Sequence, residues 1–473
     1  MGVSLPYDII VIIIRDHVDD RNALYALSLV SQSFCNIAQR VLFSTVELCY
    51  SANAPPRPNR PPEVVRLPPF KWRKLRFLAR SDKLSRYVRS LIVLLTAGPG
   101  HHDSPLDEYW HQSGGRPILD ELDRWLPPCL QHMSSLNKLI FVGPAIRAPV
   151  HQAILRHNTL RYLKATVRTH CVVPCRDAMQ TRVRNTAIEE LKFVDIGESK
   201  YTFGVGILLL YDALRPSSNF PDFPHLSSLH IEDAVGSPYI VRLDPEISFA
   251  AVAFILHVHE TIVTLQWGLS VLEETTKLIT ANYLPNLSQL SGYRIRQLIR
   301  THLPRKLQII ALSPVDLGPE TDRSLLRETS SCLPNLSVLA ISTQIRSMQV
   351  LHDLRTFTNL MELWYEEEPG CEPHEEESKE ESRYPYDLFQ VVLPALPKLR
   401  DLCISIKGDI SNIAPWDMSG RLKLYSQSLC SVTIQFVVHG VAGYGLNVFR
   451  ENPESIWTHK ALNGLHMMRS FEV

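Results

Sequence analysis

The sequence has no surplus of charge of either sign: 49 Lys and Arg offset 49 Asp and Glu over 473 residues. A balanced chain lacks the electrostatic footprint of a protein that binds nucleic acid or an anionic membrane. Long apolar runs are also missing. The best candidates, Ile207–Leu210 and Phe249–Leu256, fall well short of the roughly 18–20 residues that cross a bilayer. The run at 9–14 is too short for a signal-peptide core and no basic segment precedes it. Pro6 stands where a myristoylation motif needs Ser or Thr. Nine cysteines, odd in number and scattered, exclude a disulfide scaffold and point to a reducing compartment, cytoplasm or nucleus.

Catalytic signatures are scarce as well. There is no P-loop and no G-x-S-x-G. Gly204-x-Gly206 lacks a third glycine, and GVAGYG (440–445) has no helix start after it; both read as loops. Cys171 and Cys175 flank Pro174 beside His170, but no second ligand pair is near, so zinc is not expected. His101, His102, Asp103 and His111 lie in a Gly/Pro/Ser-rich insert and read as incidental. His257 and His259 read as core or capping residues. No catalytic residue, metal site or cofactor is expected.

What is present begins with SLPYDIIVIII (4–14), in which six β-branched residues run from Ile9 to Ile14. They look like a buried strand, yet Pro6 and Asp8 suit a first helical turn. β-Branched residues lower helix propensity by only tenths of a kcal/mol each. A helix apolar nearly all round must be covered nearly all round. Two further short helices follow, one capped by Asp20 through Leu24, Leu27 and Val30. The other is capped by Ser31 or Ser33, with Phe34, Ile37, Ala38, Val41 and Leu42 on one face. These two can cover one side of the first helix; the second side implies another protein.

Next comes SANAPPRPNRPPEVVRLPPF (51–70), with seven prolines and three arginines, which reads as a stiff extended linker. Residues 71–90 carry eight basic residues and one acid and read as a solvated helix face. From there the chain repeats. Leu-x-x-Leu-x-Φ, with Φ apolar, recurs as VRSLIV (88–93), LNKLIF, IEELKF, LSSLHI, IVTLQW, LQIIAL, LSVLAI, LMELWY (360–365), LRDLCI (399–404), LCSVTI (429–434) and LNGLHM (462–467). LRYLKA and LSQLSG are imperfect copies. The steps run from 20 to 48 residues. Alternation sends the fourth and sixth side chains to one face of a short strand. One such strand cannot bury that face alone, whereas stacked parallel copies build a continuous core. Between Glu366 and Glu381 stand nine glutamates and one lysine, expected as a disordered acidic insertion at 366–382.

The first 48 residues resemble an F-box, the adaptor-binding module of SCF-type ubiquitin ligases. The matching elements are Leu5-Pro6-x-Asp8-Ile9-Ile10-x-x-Ile13, then LSLVSQSF (27–34), then Ala38 and LFSTVEL (42–48). The string looks most like the fungal version, which a Pro-rich joint and degenerate leucine-rich repeats commonly follow. Phe34 and Phe43 depart from it, standing where many F-boxes have tryptophan. The resemblance implies an α+β chain: a three-helix F-box (1–50), a Pro-rich linker (51–70), and an α/β leucine-rich-repeat solenoid with a curved parallel sheet (71–473). It implies a non-enzymatic substrate-recognition subunit of a cullin–RING ligase. Its partners would be the small adaptor subunit, through it a cullin, and a protein target, with no nucleic acid or membrane. Adaptor contacts are expected at Leu5, Pro6, Ile9, Ile10, Ile13, Val30 and Phe34. Target contacts are expected at the outward third and fifth repeat positions: Glu362, Trp364, Asp401, Ser431 and Thr433, with Cys403 beside them. The alternative is a non-catalytic repeat scaffold whose N-terminal helices only cap the solenoid.

Overall fold

The structure is a computed structural model. It describes residues 7–17, 20–52, 71–97, 115–143, 146, 148–167, 187–195, 223–233, 260–267, 284–292, 307–312, 325–346, 348–373, 390–407, 428–438, 441–449 and 458–463. The chain divides into two units, Met1–Thr261 and Ile262–Val473.

The first unit opens with helices α1 (Tyr7–His17), α2 (Arg21–Ser28) and α3 (Gln32–Leu42). Parallel strands follow: β1 (Thr45–Ala52), β2 (Ser90–Ala97), β3 (Lys138–Gly143), β4 (Tyr162–Val167), β5 (Glu190–Asp195) and β6 (Ser228–Asp233). Each pairs with the next in chain order. Helices α4 (Lys71–Arg80), α5 (Asp82–Ser85), α6 (Gly115–His132) and α7 (Ala148–Leu155) lie between them in sequence.

The second unit continues the pattern with β7 (Thr264–Trp267), β8 (Gln289–Gly292), β9 (Ile309–Leu312), β10 (Val338–Arg346), β11 (Glu362–Pro373), β12 (Asp401–Lys407) and β13 (Ser431–Val438). These too are parallel neighbours in chain order. Helices α8 (Leu325–Cys332) and α9 (Met348–Leu354) and a 3-10 turn at Leu393–Ala395 connect some of them. The fold is a set of N-terminal helices followed by an α/β solenoid of leucine-rich repeats.

One hydrogen-bond device links successive repeats. A single carbonyl accepts two consecutive N–H groups from the next repeat: Arg89 from Asn137 and Lys138, Ser337 from Met361 and Glu362, Arg400 from Cys430 and Ser431. A tight turn precedes many strands, closed by the first repeat leucine donating to a residue three back, as from Leu287 to Leu284, Leu336 to Leu333 and Leu399 to Leu396. This explains the recurrent Leu-Pro-Asn-Leu and Leu-Pro-Lys-Leu: proline presets the turn and has no N–H to satisfy. The first, fourth and sixth positions are buried, as at Leu136, Leu139 and Phe141, or Leu399, Leu402 and Ile404.

Three expectations change. First, the linker was expected to separate the helices from the solenoid. Instead β1 is the sheet's first strand, pairing Thr45 with Ser90 and Leu48 with Val93, and the Ser44 carbonyl accepts from Arg89 and Ser90. FSTVEL (43–48) is thus itself a repeat, and the sheet begins before residue 50. Residues 53–70 follow the first strand and lie outside the described residues. Second, the acidic stretch is strand as far as Pro373, where β11 follows β10 past a register shift at Thr343/Ile345. Backbone ladder bonds do not depend on side-chain hydrophobicity, so glutamates can occupy them; residues 374–382 lie outside the described residues. Third, only Leu462 and Asn463 of LNGLHM are described, and they end an antiparallel strand; residues 464–467 lie outside the described residues. Thr458–Asn463 forms β15, antiparallel to β14 (Val441–Phe449), which is in turn antiparallel to β13. β14 also takes in most of GVAGYG, expected as a loop.

Candidate interaction surfaces

The helical surface is built from local signals. The Asp20 side chain accepts from the Asn22 N–H at 2.9 Å and the Ser31 hydroxyl from the Phe34 N–H at 3.2 Å, starting α2 and α3. Each satisfies a backbone donor that a helix start leaves unpaired. The core of the bundle is Ile14, Leu24, Ile37 and Ala38, with Ile10, Val11, Leu27, Phe34, Val41 and Leu42 packed against it.

That core uses one face of α1. The other face, Ile9, Ile12 and Ile13 at i, i+3 and i+4, is exposed. The α2–α3 corner adds Tyr25, Leu29 and Val30, with Leu29 86 % exposed. Of the adaptor residues expected from sequence, Ile9, Ile13 and Val30 therefore stand outward. Ile10 and Phe34 face the bundle's own core. Leu5 and Pro6 lie outside the described residues. Ile12, Tyr25 and Leu29 were missed; only the helical spacing from Ile9 could have pointed to Ile12. The helices also touch the first repeat: Lys83 Nζ donates to Asn36 Oδ1 at 3.3 Å, and the Arg40 guanidinium lies 5.6 Å from the Tyr87 ring centre.

The second surface is the outward side of β10–β13. The register sets Glu362 beside Asp401 and Asp401 beside Ser431. It sets Trp364 beside Cys403 and Cys403 beside Thr433. The expected target residues thus share one face in two adjacent rows. Asp401 is exposed; Glu362, Trp364, Cys403, Ser431 and Thr433 are half-buried. The Trp364 indole N–H donates to the Glu362 carboxylate on its own strand. Burial chiefly, then the charges of Glu362 and Glu366, pushes the Cys403 thiol up to about 12. Tyr365, pointing the other way, is buried.

No protein-family model matches the chain, and no curated protein matches it. Among solved structures the chain is similar to the leucine-rich repeat-containing protein LegL7 from Legionella pneumophila. Identity is 12 %, covering 64 % of this chain and 91 % of that one, with a TM-score of 0.38. It is also similar to the Rad7 and Elc1 complex in yeast, at 12 % identity over 66 % of this chain and 81 % of that one, with a TM-score of 0.30. Likenesses this distant settle no activity, and the solenoid rests on its own ladder and repeats.

Other groups offer little chemistry. Among the described residues no set of three or more His, Cys, Asp or Glu is placed to hold a metal ion, and no helix is long and apolar enough to cross a membrane. His170, Cys171, Cys175, His101, His102, Asp103, His111, His257 and His259 lie outside the described residues. Cys129 and His157 are buried within the repeats: the Cys129 thiol donates to the Leu75 carbonyl at 3.0 Å, and His157 Nε2 lies 3.0 Å from the Met133 carbonyl.

Proposed function

We propose that this chain is a substrate-recognition subunit of an SCF-type cullin–RING ubiquitin ligase, acting in the cytoplasm or nucleus. The three helices bind the small adaptor, and the adaptor brings the cullin. The outward sheet face holds a protein target. The chain itself performs no chemistry; it raises the effective concentration of the target at a conjugating enzyme supplied by partners.

One observation carries this reading: α1 has apolar side chains on two faces, and its own bundle covers only one. Three exposed isoleucines on one helix, together with exposed Tyr25 on α2 and Leu29 and Val30 between α2 and α3, are the kind of apolar surface that needs a partner. The six side chains are already partly covered, so burying the rest of them gives about 5–10 kcal/mol gross at roughly 1.5–3 kcal/mol per fully buried side chain. Association costs about 4–15 kcal/mol, so this patch supplies a major share of what a stable heteromer needs. The test is affinity purification of the full chain with and without polar replacements at Ile9, Ile13 and Val30. Deleting residues 1–50 is the wrong tool, because it removes most of β1 and uncovers the sheet edge.

A second reading, a repeat scaffold with an N-terminal cap, draws on the Lys83–Asn36 and Arg40–Tyr87 contacts and on β1. Those contacts support a capping role for the helices. They do not account for Ile9, Ile12 and Ile13 on the opposite side of α1 from the core. Capping and adaptor binding use different surfaces and are compatible.

A further inference from the structure

Helix α4 turns a basic face outward. Its inner side is Leu75, Leu78 and Ala79, all buried. Arg73, Phe77 and Arg80 stand at i, i+4 and i+7 on the opposite side, and all three are exposed, as is Lys74 beside them. Phe77 is 50 % exposed in the middle of the row. From Arg73 to Arg80 the row covers about 10.5 Å of helix. The sequence of α4, KWRKLRFLAR, holds no acidic residue.

Helix α6 holds this row in place. Three guanidiniums gather around its Trp125 ring: Arg76 and Arg80 from α4, each 5.5 Å from the ring centre, and Arg124 from α6 at 5.1 Å. The Glu121 carboxylate accepts from Arg76 at 3.0 Å and from the Trp125 indole N–H at 2.9 Å, which fixes the ring. Like charges brought this close repel; the negative face of the indole offsets part of that. Asp120 and Asp123, the other acids of α6, have partners. Even with all three acids counted, Arg73, Lys74, Arg76, Arg80 and Arg124 outnumber them. Among the described side chains of the two helices the sign of the face is therefore positive, whichever of them are paired.

We propose that the α4–α6 face docks an acidic segment of a partner protein. Its carboxylates meet Arg73, Arg80 and Arg124, and an apolar side chain of it lies against Phe77. A guanidinium is weakly hydrated and pairs bidentately with a carboxylate. One whose face lies on a ring still donates from its edge. Stacking on Trp125 orders Arg80 and Arg124 before the partner arrives, which lowers the entropy lost on binding. The partner's charge complements the face in sign. Nucleic acid fits less well. Three guanidiniums already cover the Trp125 ring, so a base does not stack there, and the chain as a whole carries no positive excess. The inference goes beyond the ligase reading: it uses neither the outward face of α1 nor the sheet face of β10–β13.

The test uses the full chain and fluorescein-labelled peptides of equal length, Asp/Gly, Lys/Gly and Ser/Gly, each with a central leucine, beside a labelled oligothymidylate. Fluorescence anisotropy at physiological salt should show the Asp/Gly peptide binding at least tenfold tighter than the other probes. Arg73→Gln with Lys74→Gln, and separately Arg80→Gln with Arg124→Gln, should each weaken it at least tenfold, and Phe77→Ser at least threefold, with melting temperature unchanged. Arg73 and Lys74 are not among the cations stacked on Trp125, so that pair reads the surface even if the other loosens the helices. Arg355→Gln with Arg400→Gln, exposed cations of the second unit, should change binding less than twofold. The proposal is overturned if the Asp/Gly peptide binds no tighter than the Ser/Gly peptide, or if the folded face variants bind it like the wild type. It is overturned too if the oligothymidylate binds as tightly, which would mean a nucleic-acid site. Tight binding that appears only after Asp103→Asn with Asp107→Asn and Glu108→Gln would overturn it as well, since this chain's own segment would then fill the face. Adaptor capture on the same samples reports on α1 alone, so failure here and failure of the ligase reading are distinguishable.

Discussion

Ile13 and Ile14 are consecutive residues of α1, yet Ile13 is 41 % exposed and Ile14 only 2 %, in the core with Leu24, Ile37 and Ala38. This split predicts opposite mutational behaviour. Ile14→Ala should lower unfolding stability by about 2–5 kcal/mol, the cost of a cavity in a packed core. Ile13→Ser should stay within about 0.5 kcal/mol, as for other surface changes. Urea unfolding followed by circular dichroism measures both. Equal losses at the two positions would place Ile13 inside the fold and remove the outward face.

Much of this was legible in the sequence. The Leu-x-x-Leu-x-Φ spacing located the strands and sorted Leu363 and Tyr365 inward from Glu362 and Trp364, because strand alternation leaves little choice. Helix α1 was recognisable from Pro6, Asp8 and its neighbours. Its two faces were not, since residues 9–14 are uniformly apolar and only α2 and α3 decide which are covered. Ile10 and Phe34 went inward for that reason. FSTVEL was hidden by its own resemblance to the end of an F-box; its Val46 and Leu48 occupy the fourth and sixth repeat positions. The strand Val441–Phe449 was missed because its glycines suggest a loop, while its pairing is set by β13 and β15 on either side.

Trp364 and Tyr365 form a second contrast. Tyr365→Ala empties a buried site and should cost about 3–5 kcal/mol of stability. Trp364→Ala should leave stability nearly unchanged and weaken capture of a bound target by about 2 kcal/mol or more, as hot-spot aromatics do. Thermal unfolding, combined with affinity purification of targets, reads the two effects. A loss of several kcal/mol of stability at Trp364 would make it a packing residue and misplace the target surface.

Buried His157 and Cys129 give the stability a pH dependence with a definite sign. Burial lowers the His157 pKa from its ordinary 6.5, against backbone hydrogen bonds at Met133 and Leu130. The unfolded chain then binds a proton that the folded one refuses, so stability falls as pH drops through about 6.5. Burial raises the Cys129 thiol from 9.0 to about 12. The folded chain keeps a proton that the unfolded one releases, so stability falls as pH rises from about 9 to about 12. Urea unfolding at pH 5, 7.5 and 10 should show both declines. His157→Gln should make the acid limb shallower and Cys129→Ala the alkaline one, part of which stays because the Cys403 thiol is raised as well; unchanged limbs in those variants would refute the assignment.

The acidic stretch should divide at Pro373. Removing residues 374–382, whose Glu-rich composition offers almost nothing to bury in a core, should shift the melting temperature by no more than a few degrees. Extending the deletion back to 369 removes the β11 residues paired with Ile345 and Arg346 and should cost measurably more. Differential scanning calorimetry of the two deletions decides it. Equal shifts would mean that the end of β11 contributes nothing to the sheet.

The central claim is that the outward face of α1 binds an adaptor. Its most direct test is isothermal titration of the purified full chain with the purified SCF adaptor subunit, beside a variant carrying Ile9→Asp, Ile13→Asp and Val30→Asp. The wild-type chain should form a stable complex, and the variant, with an unchanged circular dichroism spectrum, should bind at least a hundredfold more weakly. A wild-type chain that gives no heat of binding and no co-eluting complex would contradict the account. So would a folded triple variant that binds as tightly as the wild type.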